Sequence, residues 1–481
     1  MTLLTGVSAL NVVFLAVGYC VLASTLGRLE LRRWASYAGV ALIVGAGCAG
    51  IAVTVACIAG ATASPATLLI AAAILATAGL AARGLLGGGE PTEVRATPAG
   101  SVALAATAAI VAVCALALLG GFRSSPWLDD AWGIWLAKGV ALGTHGLDSR
   151  LFVPNGKYVF FEVGDYPLWW SVVSELNMRF VGSIDVRAMD AQESILLVSF
   201  LAATARLLWG RVRAWVLAFA LLLLVASPEL LRHTQSGMAD LPLAIFYALF
   251  VLAGLRLLVA GDRLSVVLVV VCGAAALAIK IEALPEVTLS LALLVGAGLV
   301  VARRRVPQLV AAATIAYATM IPWWTWRASH HIGGRLPLGT ALDPTYLAHR
   351  AHRIGTSAAT IASDVVDPTK WLLAVPLLCV AAVAGAWWTR RVIWLAPIGM
   401  VALGYLLLVW IYWSAPDNVD YLLATSAYRT VDPLVLLSGV LLPPTVELLL
   451  QQRDALRQDR VLVGNLRDDR GVVQQHGEDE Q

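Results

Sequence analysis

The sequence predicts an all-α, polytopic transmembrane helical bundle of about thirteen spans, with long loops on one side that carry amphipathic interfacial helices. Three observations predict it. Of 481 residues, 59% are hydrophobic and only 14% are charged, whereas a soluble domain carries about 25% charged residues. The mean hydropathy is +0.79. Apolar windows of about 20 residues, the length that crosses a bilayer core, recur along the whole chain. The net charge of +3 describes loops facing water. No clustered basic stripe of the kind nucleic-acid binding requires is present, so nucleic acid is excluded as a partner. Cys20, Cys48, Cys57, Cys114, Cys272 and Cys379 all fall inside apolar runs without CxxC spacing. They read as small buried hydrophobes, with no disulfide or zinc site expected.

The windows, in order, are residues 4–27, 35–58, 65–84, 101–121, 191–209, 214–231, 240–260, 264–284, 286–302, 307–325, 371–389, 392–413 and 431–450. Every second connection between them is basic: Arg28, Arg32 and Arg33; Arg83 and Arg95; Arg206, Arg211 and Arg213; Arg263; Arg303, Arg304 and Arg305; Arg390 and Arg391. Short loops rich in Lys and Arg stay cytoplasmic. The alternation therefore places the N-terminus outside and the tail inside a cytoplasmic membrane. Positive charge follows the first span and does not precede it, the reverse of a cleaved signal peptide, so that span is expected to stay.

The chain divides into residues 1–85, an N-terminal group of three spans; 86–100, a Gly-rich cytoplasmic linker; 101–450, the main transmembrane module; and 451–481, a charged cytoplasmic tail read as a short helix followed by a disordered end. The long outside loops, about 122–190, 326–370 and 414–430, hold Trp, Tyr, Pro, His and paired acids. That is not the composition of a disordered linker, and it places the chemistry outside.

Five constellations carry chemical potential. Asp129 and Asp130 stand among Trp127, Trp132 and Trp135 in 126-PWLDDAWGIWLAKG-139. Either acid can cap a short helix starting at Ala131. Two adjacent carboxylates also repel, which suits a general base or the ligands of a divalent metal such as Mg or Mn. The tryptophans, with Ile134, Leu136 and Lys138, read as an interfacial belt on a helix lying on the membrane surface. In 162-EVGDYPLWWSVVSELNMRFVG-182, Pro167 opens a helix; Asp165 beside Tyr166 is either its cap or a second acid facing the same cavity. Asp240 heads a span, where it either complements the helix N-terminus or lines a site.

In 278-AIKIEALPE-286, Lys280 and Glu282 occupy the outer end of an apolar span, where ionisable groups mark a site or a buried pair. Two apart, they do not face each other on a helix, and Lys280 can instead snorkel outward. In 417-DNVDYLLATSAYRTVDPL-434, Arg429 suits a phosphate clamp or a pair with Asp432 or Asp420. His330, His331, His349 and His352 sit in the second large loop; His349 and His352 share a face if that segment is helical, which leaves metal binding open.

These motifs, in this order, resemble the GT-C superfamily of integral-membrane glycosyltransferases, specifically bacterial members related to protein O-mannosyltransferases and lipid A sugar transferases. The resemblance covers about residues 101–450 and rests on 130-DAWGIWLAK-138, 165-DYPLWW-170, 240-DLPLAIF-246, 277-LAIKIE-282, 321-IPWW-324 and 425-TSAYR-429. It implies transfer of a sugar from a polyprenyl-phosphate carrier, with inversion, to a glycan, lipid or protein acceptor. Asp130 or Asp129 would deprotonate the acceptor hydroxyl, and Lys280 and Arg429 would steady the departing lipid phosphate. Some relatives use a divalent metal for that task. Val163-Gly164 stands where relatives often have His-Pro, and no large soluble domain follows the last span. Rival expectations are a transporter or flippase of lipid-linked sugars and a glycan polymerase or ligase.

Overall fold

The computed structural model describes residues 2–26, 30–86, 100–152, 164–334 and 336–478, with backbone alone at 86, 151, 392, 393 and beyond 456. Arg28, Arg95, Val163 and most of the 86–100 linker lie outside the described residues. What is described is helical, with no β-strand.

The apolar helices are α1 (Leu3–Ala23), α2 (Ala38–Ile58), α3 (Pro65–Leu86) and α4 (Ser101–Gly121). After the first large loop come α5 (Ala137–His145), α6 (Trp169–Val181) and α7 (Arg187–Leu208). Then follow α8 (Ala214–Val225), the short α9 (Pro228–His233), α10 (Asp240–Ala260), α11 (Arg263–Ile279) and α12 (Ala283–Val301). Val306–Ala318 (α13) and Ile321–Ser329 (α14) are separated by a break just ahead of Pro322. Beyond them lie α15 (Arg353–Val366), α16 (Pro368–Trp371), α17 (Ala374–Thr389), α18 (Ala396–Ser414), α19 (Val419–Thr430) and α20 (Asp432–Glu478).

Among the described residues, ten helices are long and apolar enough to cross a membrane, and the chain is a multi-pass membrane protein. Asp240–Ala260 spans about 31 Å at 1.5 Å per residue, the thickness of a hydrocarbon core. Three further windows hold shorter apolar helices, α8, α11 and α17; the first two end before their windows do, and α17 begins three residues into its own. The last helix does not stop at a short cytoplasmic segment. It continues as helix to Glu478.

Small residues set the helix spacing. A Cβ on Gly18 would lie 1.7 Å from the Ala41 carbonyl oxygen, and one on Gly45 would lie 1.7 Å from that of Phe14. The backbones of α1 and α2 therefore touch, the small-residue packing expected where lipid supplies no hydrophobic drive between helices. The N-terminal helices also pack on the main module. Gly50 receives the Trp169 indole, and Asn11 and Gln192 exchange amide hydrogen bonds of 2.9 and 3.1 Å.

The two ends of the bundle differ chemically. At one end, arginines close the turns. Arg206 donates to the Tyr37 hydroxyl, Arg256 to the Leu207 carbonyl, Arg305 to the Leu258 carbonyl, and Arg213 to Glu447 and Asp454. At the other end, the helix starts and stops gather acids, aromatics and two buried cations.

Candidate functional site

Residues from four distant segments meet at that second end. The loop after α4 delivers Asp130 to a π-helical turn, Ala131–Leu136, that leads into α5. Asp240 is the first residue of α10. Lys280 lies between α11 and α12, and Arg429 on the last turn of α19. The Arg429 Nη2 donates to Asp130 Oδ2 at 2.6 Å, and its Nη1 reaches Asp240 Oδ2 at 3.5 Å. The Lys280 Nζ donates to Asp240 Oδ1 at 2.9 Å and lies 3.7 Å from Glu282 Oε1. Glu282 in turn accepts from the Tyr166 hydroxyl at 2.8 Å. Asp130, Arg429, Asp240, Lys280, Glu282 and Tyr166 thus form one continuous ribbon of alternating charge ending in a phenol.

Asp240 sits at its centre, buried, with both oxygens on cations. Removing such a charge pair from water is costly, and the cost is offset only because every member has an opposite partner. The ribbon, apart from the buried Asp240, lines a cavity of about 540 Å³. Asp129, Asp130, Tyr166, Lys280, Glu282 and Arg429 face it, together with Tyr412, Asn418, Tyr421 and Ser426.

The lysine and glutamate that a helix would keep apart do meet. Helix α11 stops at Ile279, and Lys280 is extended, with φ −140° and ψ 154°. The break turns the pair toward each other, so the snorkelling reading of Lys280 is corrected: its side chain is buried. Arg429 pairs with neither Asp432 nor Asp420, as sequence proximity suggested, but with acids from other segments.

The first large loop also departs from expectation. Trp127 and Trp132 are exposed, as an interfacial belt requires, whereas Trp135 and Lys138 are each 1% exposed. Trp135 stacks on Tyr166, with centroids 5.3 Å apart and planes at 4°. Burial pulls the Lys138 ammonium down to about 7. The reason is local: Gly139 packs on the Ser171 carbonyl and Gly143 on Glu175, four residues apart on each helix. Helix α5 therefore packs on α6, which buries Trp135 and Lys138. Asp130 precedes the π-turn without a capping hydrogen bond from its side chain, so the cap reading fails for it.

Asp165 caps nothing either, because α6 starts at Trp169 with Leu168 before it. It stands on the far side of Lys280, in a smaller space that it shares with Trp323, Trp324 and Arg327. Arg327 donates to its carbonyl at 3.5 Å. Burial raises its carboxyl above the ordinary aspartate range. Lys280 borders both this space and the larger cavity, so Asp165 adjoins the ribbon without joining it.

A divalent metal does not fit the residues at Asp130. The carboxylate is engaged by a guanidinium, and among the described residues no three of His, Cys, Asp and Glu gather in a metal-holding group. His349 closes a short helix, Pro344–His349, that does not extend to His352, so the two do not share a helical face. His330 stacks on Trp326.

Sequence reading missed a second buried cluster. The His233 ring lies between Asp432 and Glu229. The signal was there in 229-ELLRH-233, an acid and a histidine four apart, which meet on one helical face. Asp190 and Glu193, three apart near the start of α7, were missed as well. Ser124 donates to Asp190 at 2.9 Å, and the Gly237 amide to Glu193 at 3.1 Å. Gly237, at φ +66°, rests on Pro126 and Ala131. The two loops that deliver Asp130 and Asp240 are thereby tied to one helix.

No protein-family model, curated protein or solved structure matches this chain.

Proposed function

We propose that the protein is an inverting glycosyltransferase that takes a sugar from a polyprenyl-phosphate carrier and passes it to an acceptor hydroxyl at the outer face of the cytoplasmic membrane, in cell-envelope glycan or glycolipid synthesis. One observation carries the reading. A carboxylate, Asp130, and two cations, Lys280 and Arg429, face one cavity at the end of an otherwise apolar bundle.

The chemistry follows from charge. The Asp130 carboxylate accepts the proton of the acceptor hydroxyl as its oxygen attacks the anomeric carbon from the face opposite the phosphate. The bond from that carbon to the phosphate oxygen breaks, and its electron pair leaves with the lipid phosphate, giving inversion. The donor phosphodiester carries one negative charge and the departing monoester gains more. Fixed cations therefore stabilise the transition state more than the ground state. Lys280 and Arg429 are already paired with acids, so the donor phosphate competes with Asp130 for Arg429. Its arrival frees the carboxylate for the acceptor. Asp129, exposed at the cavity rim, is the alternative base; Tyr166 and Glu282 hold the Lys280 end of the ribbon.

The thirteen-span topology, with the arginine-rich end and the tail in the cytoplasm, belongs to the same proposal; a reporter fused after Gln481 reads cytoplasmic, and an external signal inverts the scheme. The acceptor is a glycan, a lipid or a protein. The direct test incubates the purified protein in lipid with radiolabelled undecaprenyl-phosphate sugars and membrane acceptors. Transfer with release of undecaprenyl phosphate is expected. Movement of the intact donor across the bilayer without its cleavage would instead support a flippase.

A further inference from the structure

The buried histidine behind the cavity has no part in the chemistry above, yet it touches the segment that aims Arg429. The Nδ1 of His233 lies 2.9 Å from both carboxylate oxygens of Asp432. Its Nε2 lies 3.3 Å from Glu229 Oε1. The Nδ1–H donates to Asp432, whereas the Nε2 approach to Glu229 is an ion-pair contact without hydrogen-bond geometry. Flanked by a carboxylate on each side, the ring is an imidazolium. Burial opposes that charge, but Asp432 and Glu229 more than offset it, and the ring titrates at about 9.

The position of this ion matters more than its strength. Asp432 is three residues past Arg429, where α19 hands over to α20 across the buried Val431. Tyr428, immediately before Arg429, packs its ring 5.7 Å from the His233 ring, and Trp371 packs at 5.8 Å from another side. His233 therefore grips the chain on both sides of Arg429. Other charged groups near the clamp are Arg232, 3.6 Å from Glu229; Lys370, which acts on Glu229 while bound to Asp364; and Asp240, which feels the imidazolium charge.

We propose that His233 is a positioning residue for Arg429: clamped between Asp432 and Glu229, it fixes the helix junction that aims the guanidinium into the cavity, and so sets how tightly the site holds a phosphate anion. This rests on reading Arg429 as a phosphate clamp. Deprotonation removes the charge that draws both carboxylates to the ring, and the junction loosens.

The sign of the pH dependence is defined. A histidine raised from its unfolded value of about 6.5 to about 9 binds more protons folded than unfolded between those values. Its contribution is complete below the first and lost as pH rises through the second.

The test measures binding of undecaprenyl phosphate to the full-length protein in nanodiscs, from near neutral pH to about pH 10, for wild type, His233→Gln and Asp432→Asn. Wild-type affinity is expected to fall about tenfold across that range as the histidine loses its proton. Both variants are expected to bind more weakly at neutral pH, with no such fall. A His233→Gln protein with wild-type affinity and wild-type pH dependence overturns the proposal. If wild type binds no phosphate lipid at any pH, the phosphate reading fails, and the clamp is judged by thermal unfolding over the same range. There the wild-type Tm must drop more than that of His233→Gln; parallel curves overturn the clamp. Asp432→Asn supplies the same comparison if His233→Gln does not fold.

Discussion

The guanidinium of Arg429 donates to the carboxylate of Asp130 at 2.6 Å although 299 residues separate them in the chain. The contact joins the proposed base to a proposed phosphate ligand before any substrate arrives. It makes the first prediction two-sided. Asp130→Asn is expected to lower sugar transfer by roughly a hundredfold to ten-thousandfold, the loss typical of a missing general base, while the protein keeps its melting temperature within a few degrees. Retained transfer in both Asp130→Asn and Asp129→Asn would sink the assignment of either acid as base.

Lys280 and Arg429 are assigned to the donor. Lys280→Met and Arg429→Gln are expected to raise the apparent KM for the polyprenyl-phosphate sugar by about tenfold or more, since each removes a charge-assisted contact, with a smaller change in the KM for the acceptor. Steady-state kinetics with each substrate varied in turn decides the point. Equal effects on both substrates argue against a phosphate role.

Asp240 neutralises both cations. Replacing it with Asn leaves Lys280 and part of Arg429 buried without their partner, a loss of roughly 3–5 kcal/mol for a broken buried pair. The Asp240→Asn, Lys280→Met double variant is expected to recover part of that stability, because the stranded charge is gone. Thermal unfolding of the two singles and the double closes the cycle. Additive losses would show that the pair is not energetically coupled.

Gly45 tests the packing of the first two spans. Gly45→Leu places a side chain where the Phe14 carbonyl oxygen stands. It is expected to reduce the yield of folded protein and to lower the melting temperature by several degrees, consistent with roughly 1–3 kcal/mol of overpacking. Gly84→Leu, at a position where an added Cβ meets nothing within 4 Å, is the control and is expected to behave as wild type.

Much of the architecture was legible because hydropathy is a local property. Whether twenty consecutive residues suit a bilayer core depends on those residues alone, and so the windows at 101–121 and 240–260 coincide with helices Ser101–Gly121 and Asp240–Ala260, and the window at 4–27 overlaps Leu3–Ala23. Arginine alternation is nearly as local a signal, since it needs only the order of spans and charges along the chain. The individual candidates at the site were legible for a similar reason. A charge such as Asp240 or Lys280 stands out against an apolar span, because leaving it there unpaired is costly.

Which charges meet was decided by tertiary structure. Sequence spacing kept Lys280 and Glu282 on different helix faces, and the end of α11 at Ile279 turned them together. Proximity offered Asp432 to Arg429, but Asp432 went to His233, and Arg429 reached Asp130 and Asp240. Trp135 and Lys138 looked like surface anchors until Gly139 and Gly143 let their helix settle on α6. Local propensity places a residue on a helix. Only the packing of distant segments, which buries charges and forces each to find a counter-charge, determines its partner.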